Sequence, residues 1–355
     1  MAGSIFCNKY TEGYPNNRYY GGCKYYDELE SLCQKRWLEV FNATEDYHCN
    51  VQPHSGSQAN FAAYMALCHP FDTILAMSLN NGGHITHGSP VNFSGKLYSM
   101  VFYDVDENGF INYDDIESRI QWFKPKVVVA GASAYSREID FKRIYDIIHK
   151  QENPPYFMVD MSHIAGLVIA GDHQSPFGLA DVITTTTHKT LRGTRGGLIF
   201  CKKELANKID SAIFPGSQGG PLQHIIAAKA VTALECSQPE YKEYIHQVVK
   251  NTKAMCDEFI KMGYDVVTGG TDNHLFLLDF SKLDITGKEV QELCDENNIT
   301  LNKNCVPNEK RSPKITSGVR IGCAAETTKG KTEEDFREIA HRIDAIIKGR
   351  LPKRS

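Results

Sequence analysis

Asp181-Val-Ile-Thr-Thr-Thr-Thr-His-Lys-Thr190 is the stretch on which the reading of this chain turns. It opens as a short β-branched run, the composition of a buried strand. It closes on hydroxyls, an imidazole and an amine. The tight turn Arg192-Gly-Thr-Arg-Gly-Gly197 follows. A second run of this kind lies upstream, Tyr156-Phe-Met-Val-Asp-Met-Ser-His163. Thr73–Met77, Ser99–Tyr103, Lys126–Ala130 and Gly197–Cys201 also read as strands. Helical patterns over Ser57–Cys68, Asn112–Phe123, Phe141–Lys150 and Lys203–Ile213 separate them. Strands alternating with helices predict βαβ units and a mainly parallel sheet. Such sheets bind ligands beyond the carboxyl ends of their strands. The polar residues just after each run therefore carry the chemistry.

The pattern changes at Pro221. Pro221–Cys236 and Tyr241–Met262 predict long helices. Short strands are expected near Tyr264–Val267, His274–Asp279 and Ile299–Asn302, then a helix over Thr332–Lys348. The fold class is α/β, with a large domain over residues 1–236 and a small α+β domain over 237–355. No repeat or low-complexity linker interrupts it.

Composition narrows the function. The 355 residues are 41% hydrophobic and 23% charged, with a net charge of -4. That balance argues against a broad nucleic-acid or anionic-membrane surface, so a bound anion must be held by local geometry. No apolar run approaches the ~18 residues of a membrane span. The start lacks the charged head and apolar stretch of a signal peptide. Eleven cysteines, none at C-x-x-C spacing, read as reduced thiols in a cytoplasmic protein.

Four stretches could carry chemistry. Lys189 ends a strand among hydroxyls, where partial burial would lower its pKa and make it an amine nucleophile for Schiff-base chemistry. The alternative is a solvated loop lysine. Asp160 ends an apolar strand three positions before His163. It either caps the next helix or pairs with a buried cation such as a protonated pyridine nitrogen, the partner that keeps pyridoxal phosphate an electron sink. His54-Ser-Gly-Ser-Gln-Ala-Asn60 opens a helix with small residues, which suits a phosphate or a plain serine cap. Asn81-Gly-Gly-His-Ile-Thr-His-Gly-Ser89 follows a strand. Its His84 and His87 lack a third ligand at metal spacing, so no metal is expected.

Two further stretches are ambiguous. Asp104-Val-Asp-Glu-Asn-Gly-Phe-Ile-Asn-Tyr-Asp-Asp115 matches a calcium loop at several positions but follows a strand, so a turn is the expectation. Thr316-Ser-Gly-Val-Arg-Ile-Gly322 places Arg320 in a short strand, as an ion-pair member or as a fork for a carboxylate.

Together these stretches resemble serine hydroxymethyltransferase, in that family's order and over nearly the whole chain. The Thr-Thr-Thr-Thr-His-Lys-Thr block carries the resemblance, with Asn8-Lys-Tyr-Thr-Glu-Gly-Tyr-Pro15. It implies the type I fold of pyridoxal-phosphate-dependent transferases, like aspartate aminotransferase, with a seven-stranded sheet. It implies a homodimer or dimer of dimers with sites at the interface. Lys189 then matches the lysine that holds pyridoxal 5'-phosphate as an internal aldimine, and Asp160 the partner of the pyridine nitrogen. His84 would stack on the ring, with Ser133 and His163 near its phenolic oxygen. Gly56, Ser57 and His188 match phosphate-side groups, and Tyr10 and Gly219 would reach the phosphate from the partner subunit.

The resemblance also implies the substrate site. Arg320 matches the arginine for the amino-acid carboxylate. Glu12, from the partner, resembles the glutamate that handles the proton on the serine hydroxyl and on folate, and Tyr20 faces the substrate. Thr187 would help position the substrate. Leu79, Gly83, Ile85 and Asn304 match folate-side positions. The implied reaction transfers the serine hydroxymethyl carbon to tetrahydrofolate through a quinonoid, giving glycine and 5,10-methylenetetrahydrofolate. A folate-independent 3-hydroxy amino acid aldolase and an impaired homologue acting as a dimerisation partner are the alternatives. The family has a further helical segment before Asn8 and another terminal helix, so the chain is expected to be short at both ends. It reads Gly322-Cys-Ala-Ala325 where the family commonly reads Gly-Thr-Pro-Ala.

Overall fold

The fold was analysed in a computed structural model, which describes residues 3–349. A two-stranded ribbon, β1 (Gly13–Tyr14) and β2 (Asn17–Arg18), precedes helix α1 (Lys24–Val40). The large domain continues as β3 (Tyr47–Asn50), α2 (Gly56–Leu67), β4 (Thr73–Met77), α3 (Phe93–Leu97), β5 (Ser99–Tyr103), α4 (Tyr113–Phe123), β6 (Val127–Ala130), α5 (Phe141–His149), β7 (Tyr156–Asp160), α6 (Ala165–Ala170), β8 (Val182–Thr186), β9 (Gly197–Lys202) and α7 (Ala206–Ile213). Helices α8 (Gln223–Cys236) and α9 (Pro239–Lys261) lead to β10 (Asp265–Val266), β11 (Leu275–Asp279), α10 (Gly287–Glu296), β12 (Asn302–Asn304), β13 (Gly318–Gly322), α11 (Ala324–Thr328) and α12 (Glu333–Ile347).

Seven strands form the central sheet in the order β3-β9-β8-β7-β6-β4-β5. Its pairs are parallel from β5 to β8, while β9 is antiparallel to both β8 and β3. Six strands therefore point the same way, and their carboxyl ends share one edge. The strands read as unbroken apolar runs because both faces are covered. Leu75, Val128, Phe157 and Ile183 belong to one core layer. Their neighbours Ile74, Val127, Met158 and Val182 belong to the layer on the other face. The period of two is thus present, hidden because both phases are apolar.

Several elements were not expected from the sequence, among them the β1–β2 ribbon, α3, α10 and α11, and above all α1 and β3. Helix α1 buries Glu30, Cys33 and Trp37. That stripe has helical spacing, but its first member is a charge that the Arg18 guanidinium pairs at 2.7 Å. Strand β3 is polar because His48 and Asn50 turn to Asp210, each at 2.8 Å. The strand expected over Ile299–Asn302 lies instead at Asn302–Asn304, and Asp181 stands just outside β8.

The small domain is a four-stranded antiparallel sheet, β10-β11-β13-β12. Its core joins Phe276, Leu278, Val319 and Ile321 to Met255, Cys256 and Phe259 of α9. The first turns of α9 supply Tyr241 and Ile245 to the large core. One helix therefore roots the small domain in the large one. The Asp104–Asp115 segment is a turn: Asp106 accepts from the Asn108 and Phe110 amides, and Asp115 from Asp104 N and Arg119. Among the described residues, no helix is long and apolar enough to cross a membrane.

Candidate active site

The aligned strand ends converge on a cavity of about 230 Å³. The segment after β3 contributes Ser55, Gly56 and Ser57, and the loop after β4 contributes His84 and His87. Ala132 and Ser133 follow β6, Ser162 and His163 follow β7, and His188 and Lys189 follow β8. This is where a parallel sheet places its ligands.

One end of the cavity is built for an anion. Ser55 caps α2, its Oγ accepting from Gln58 N at 3.3 Å. The first amides of a helix have no partner within it, and the dipole there favours negative charge. Thr186 Oγ1 and His188 Nδ1 are buried without a hydrogen-bond partner. Both residues line this cavity, with Arg195 beside them. A Cβ on Gly56 would come within 2.6 Å of Thr186 Cγ2. Gly56→Ala is therefore expected to push helix start and threonine apart and weaken binding of a phosphorylated ligand about tenfold, read by titration.

Another wall carries a buried carboxylate. Asp160 Oδ2 accepts from Asn60 Nδ2 at 2.9 Å and meets His87 Nε2 at 3.1 Å, while Oδ1 accepts from the Ser162 amide at 3.0 Å. Asn60 is fixed in turn by the Thr184 hydroxyl, 2.6 Å from its oxygen. Burial alone would raise the Asp160 pKa, but the His87 hydrogen bond and nearby positive groups hold it well below the usual range. The site thus keeps a carboxylate ionised in a dry wall, which is costly unless a cation meets it.

The amine and imidazoles are tuned the other way. Burial lowers the Lys189 pKa, Asp160 partly opposes this, and Arg320 and Arg195 add to it. Burial likewise pushes His84 and His188 down to about 4 and His274 to about 3. These rings are neutral at pH 7. His84 Nδ1 lies 2.7 Å from Thr86 Oγ1, and His163 Nδ1 lies 3.2 Å from His274 Nε2. The ligand atoms of His84, His87 and Asp160 fall within 4.8 Å of one another. The bonds to Thr86 and between His87 and Asp160 account for that approach.

A second cleft, about 530 Å³, adjoins the first between the domains. Lys189, His163 and His188 line both. Arg320 reaches it from β13, opposite Asn302 in the β12–β13 register. Arg320 Nε donates to Asn302 Oδ1 at 3.0 Å and Nη1 to the Ser133 carbonyl at 2.6 Å. Neither partner is a carboxylate, so the fork keeps donors for one.

Residues 1–343 match the family model described as serine hydroxymethyltransferase. The chain belongs to that family. It has the type I fold of pyridoxal-phosphate-dependent transferases, with its mostly parallel seven-stranded sheet. Membership supports a serine hydroxymethyltransferase-type function and implies pyridoxal phosphate, tetrahydrofolate, serine and glycine as its ligands.

The residues present fit that cofactor. The unpartnered Thr186 and His188 atoms and the α2 start suit its phosphate. Asp160 suits a protonated ring nitrogen, and Lys189 an aldehyde.

Of the expected site residues, Gly56, Ser57, His84, Ser133, Asp160, His163, His188 and Lys189 line the first cavity. Arg320 lines the second. Thr187 does not line either; its hydroxyl donates to the Thr194 carbonyl at 2.6 Å and braces the Lys189 turn. Asn304 donates to its neighbour's carbonyl, and Asn302 takes the place beside Arg320. Leu79 and Ile85 are exposed, and Gly83 packs on the Met77 carbonyl.

Tyr10, Glu12, Tyr20 and Gly219 also stand outside both cavities. Glu12 and Gly219 are neighbours, Gly220 lies against Tyr10, and Tyr10 and Tyr20 are exposed. This arm is nonetheless anchored. Arg18 donates to the Thr11 and Gly13 carbonyls and pairs with Asp27 and Glu30. Asn60, Thr186, Arg195, Asn302 and His274 had no assigned role. Asn60 carried a signal, one helical turn after Gly56. For Asn302, only the strand register provides one.

Proposed function

We propose that the protein is a pyridoxal-phosphate-dependent glycine hydroxymethyltransferase that moves the hydroxymethyl carbon of serine to tetrahydrofolate. The observation that carries the reading is a single cavity holding a half-buried amine, an ionised carboxylate and an anion cradle, with an arginine fork that has no carboxylate partner next door. Bound pyridoxal phosphate would supply an electron sink for a carbanion at the amino-acid α-carbon.

In this reading Lys189 binds the cofactor covalently. Asp160 holds the proton on the ring nitrogen, with Asn60 and His87 fixing its orientation. His84 would pack against the cofactor ring, and Ser133 and His163 would serve its phenolic oxygen. Gly56, Ser57 and His188 hold the phosphate. Arg320 would bind and orient the amino-acid carboxylate. Thr187, behind the wall, steadies the lysine turn that positions the substrate.

The exposed Tyr10 and Tyr20 side chains at the two ends of this anchored arm support a homodimer or a dimer of dimers. In it, Glu12, Tyr10, Tyr20 and Gly219 complete the neighbouring subunit's site, with Glu12 taking the serine hydroxyl proton. Leu79, Gly83, Ile85 and Asn304 are assigned to the folate side. A reducing cytoplasm suits the ten cysteines other than Cys7, which stand as free thiols.

The test is cleavage of serine with and without tetrahydrofolate. Glycine formation that depends on folate supports the transferase. Folate-independent cleavage identifies an aldolase, and no turnover with cofactor bound identifies an impaired homologue. Arg320→Lys tests the fork: a lysine cannot keep the Asn302 and Ser133 bonds and still grip a carboxylate bidentately. KM for serine is expected to rise about tenfold to a hundredfold, with a smaller change in kcat.

A further inference from the structure

Lys229 on α8 is 1% exposed and plays no part in the mechanism above. A buried ammonium is costly unless its hydrogens are taken up. Its three donors are fully used, on the carbonyls of Val51 at 2.7 Å, Gly197 at 2.9 Å and Pro53 at 3.0 Å. Burial brings its pKa down to about 8, with Cys33, Cys49 and Glu30 opposing the shift.

The three carbonyls belong to two different parts of the site. Val51 and Pro53 lead from β3 into Ser55-Gly56-Ser57, the anion cradle. Gly197 opens β9 and closes the turn that carries His188 and Lys189. The two parts also touch directly. Gly197 N donates to the Pro53 carbonyl at 3.0 Å, and Thr187 N donates to the Gly196 carbonyl at 3.1 Å. A Cβ on Gly197 would meet the Ser55 carbonyl carbon at 2.8 Å, so the cradle rests on that glycine.

We propose that Lys229 is a positioning residue whose ammonium ties the anion cradle to the lysine turn and so sets the distance between bound phosphate and Lys189. The proposal rests on the pyridoxal-phosphate reading of the site. It goes beyond that reading in making the grip on phosphate depend on a side chain that touches no ligand.

The test compares pyridoxal phosphate with pyridoxal, which lacks the phosphate, on the full-length chain freed of cofactor. Binding is followed by visible absorbance in the wild type, Lys229→Met and Lys229→Gln. Methionine keeps the volume and takes the ammonium's donors from three carbonyls, of which Pro53 retains the Gly197 amide. We expect it to weaken pyridoxal phosphate about tenfold or more, with pyridoxal changed less than about threefold. Glutamine keeps two donors and is expected to restore part of the loss; it carries the same comparison where the methionine variant does not fold. An unchanged ratio of the two affinities, whether both hold or both fall, overturns the proposal. A wild type that takes up neither compound overturns the cofactor reading, and this inference with it.

Discussion

Lys189→Ala is expected to abolish the visible absorbance that pyridoxal phosphate acquires on joining a lysine, and to cut turnover by about a thousandfold or more. The side chain is half-buried at the junction of both cavities. Burial lowers its pKa, which raises the share of free amine at neutral pH. The ring-side carboxylate and the α2 start remain in the variant, so the cofactor can still be held by its phosphate. The expected pattern is therefore bound cofactor with an altered spectrum and almost no catalysis. An unchanged visible band would mean that a different amine carries the cofactor. Lys229 would not qualify, because its ammonium is spent on three carbonyls.

Asp160→Asn is expected to separate binding from catalysis. The substitution keeps shape but removes the charge. It also puts an amide N–H where one oxygen now accepts from Ser162 N, or from Asn60 and His87. Without the carboxylate, nothing holds a proton on the ring nitrogen, and the electron sink is weakened. The covalent absorbance should persist, because Lys189 is intact. The kcat should fall about a thousandfold, equivalent to about 4 kcal/mol of lost transition-state stabilisation. A kcat within about threefold of wild type would remove Asp160 from the chemistry and leave it as a structural anchor for His87 and Asn60.

The two predictions draw on residues that were visible in the sequence for the same reason. Asp160 ends β7 and Lys189 follows the end of β8, and a strand end is a local feature. Apolar runs on consecutive βαβ units show which residues stand at the carboxyl edge, and in a parallel sheet that edge is where ligands sit. His84 and His163 follow by the same rule, Gly56 came from a helix start, and Ser133 came only from the resemblance. The resemblance to a known family then joined these points into one site.

The departures also have physical causes. Helix α1 and strand β3 were not read because Glu30, His48 and Asn50 place polar groups at inward positions, each satisfied by a partner distant in sequence. Thr187 looked like a site hydroxyl, yet its side chain turns to the Thr194 carbonyl because the turn needs that bond. Asn302 beside Arg320 was not read at all, because the antiparallel register that sets it across from the arginine exists only in the folded sheet.

The order of residues alone settled the class of the fold, the identity of the strand ends and the residue types available there, because strand patterning and turn chemistry are local. Tertiary structure decided which of those groups meet. The Asn60–Asp160–His87 cluster unites three segments, and Lys229 grips two loops from a helix that follows both. No local signal marks such a meeting. A buried polar group must find its partner wherever packing brings one within hydrogen-bond reach, and that distance exists only once the chain has folded.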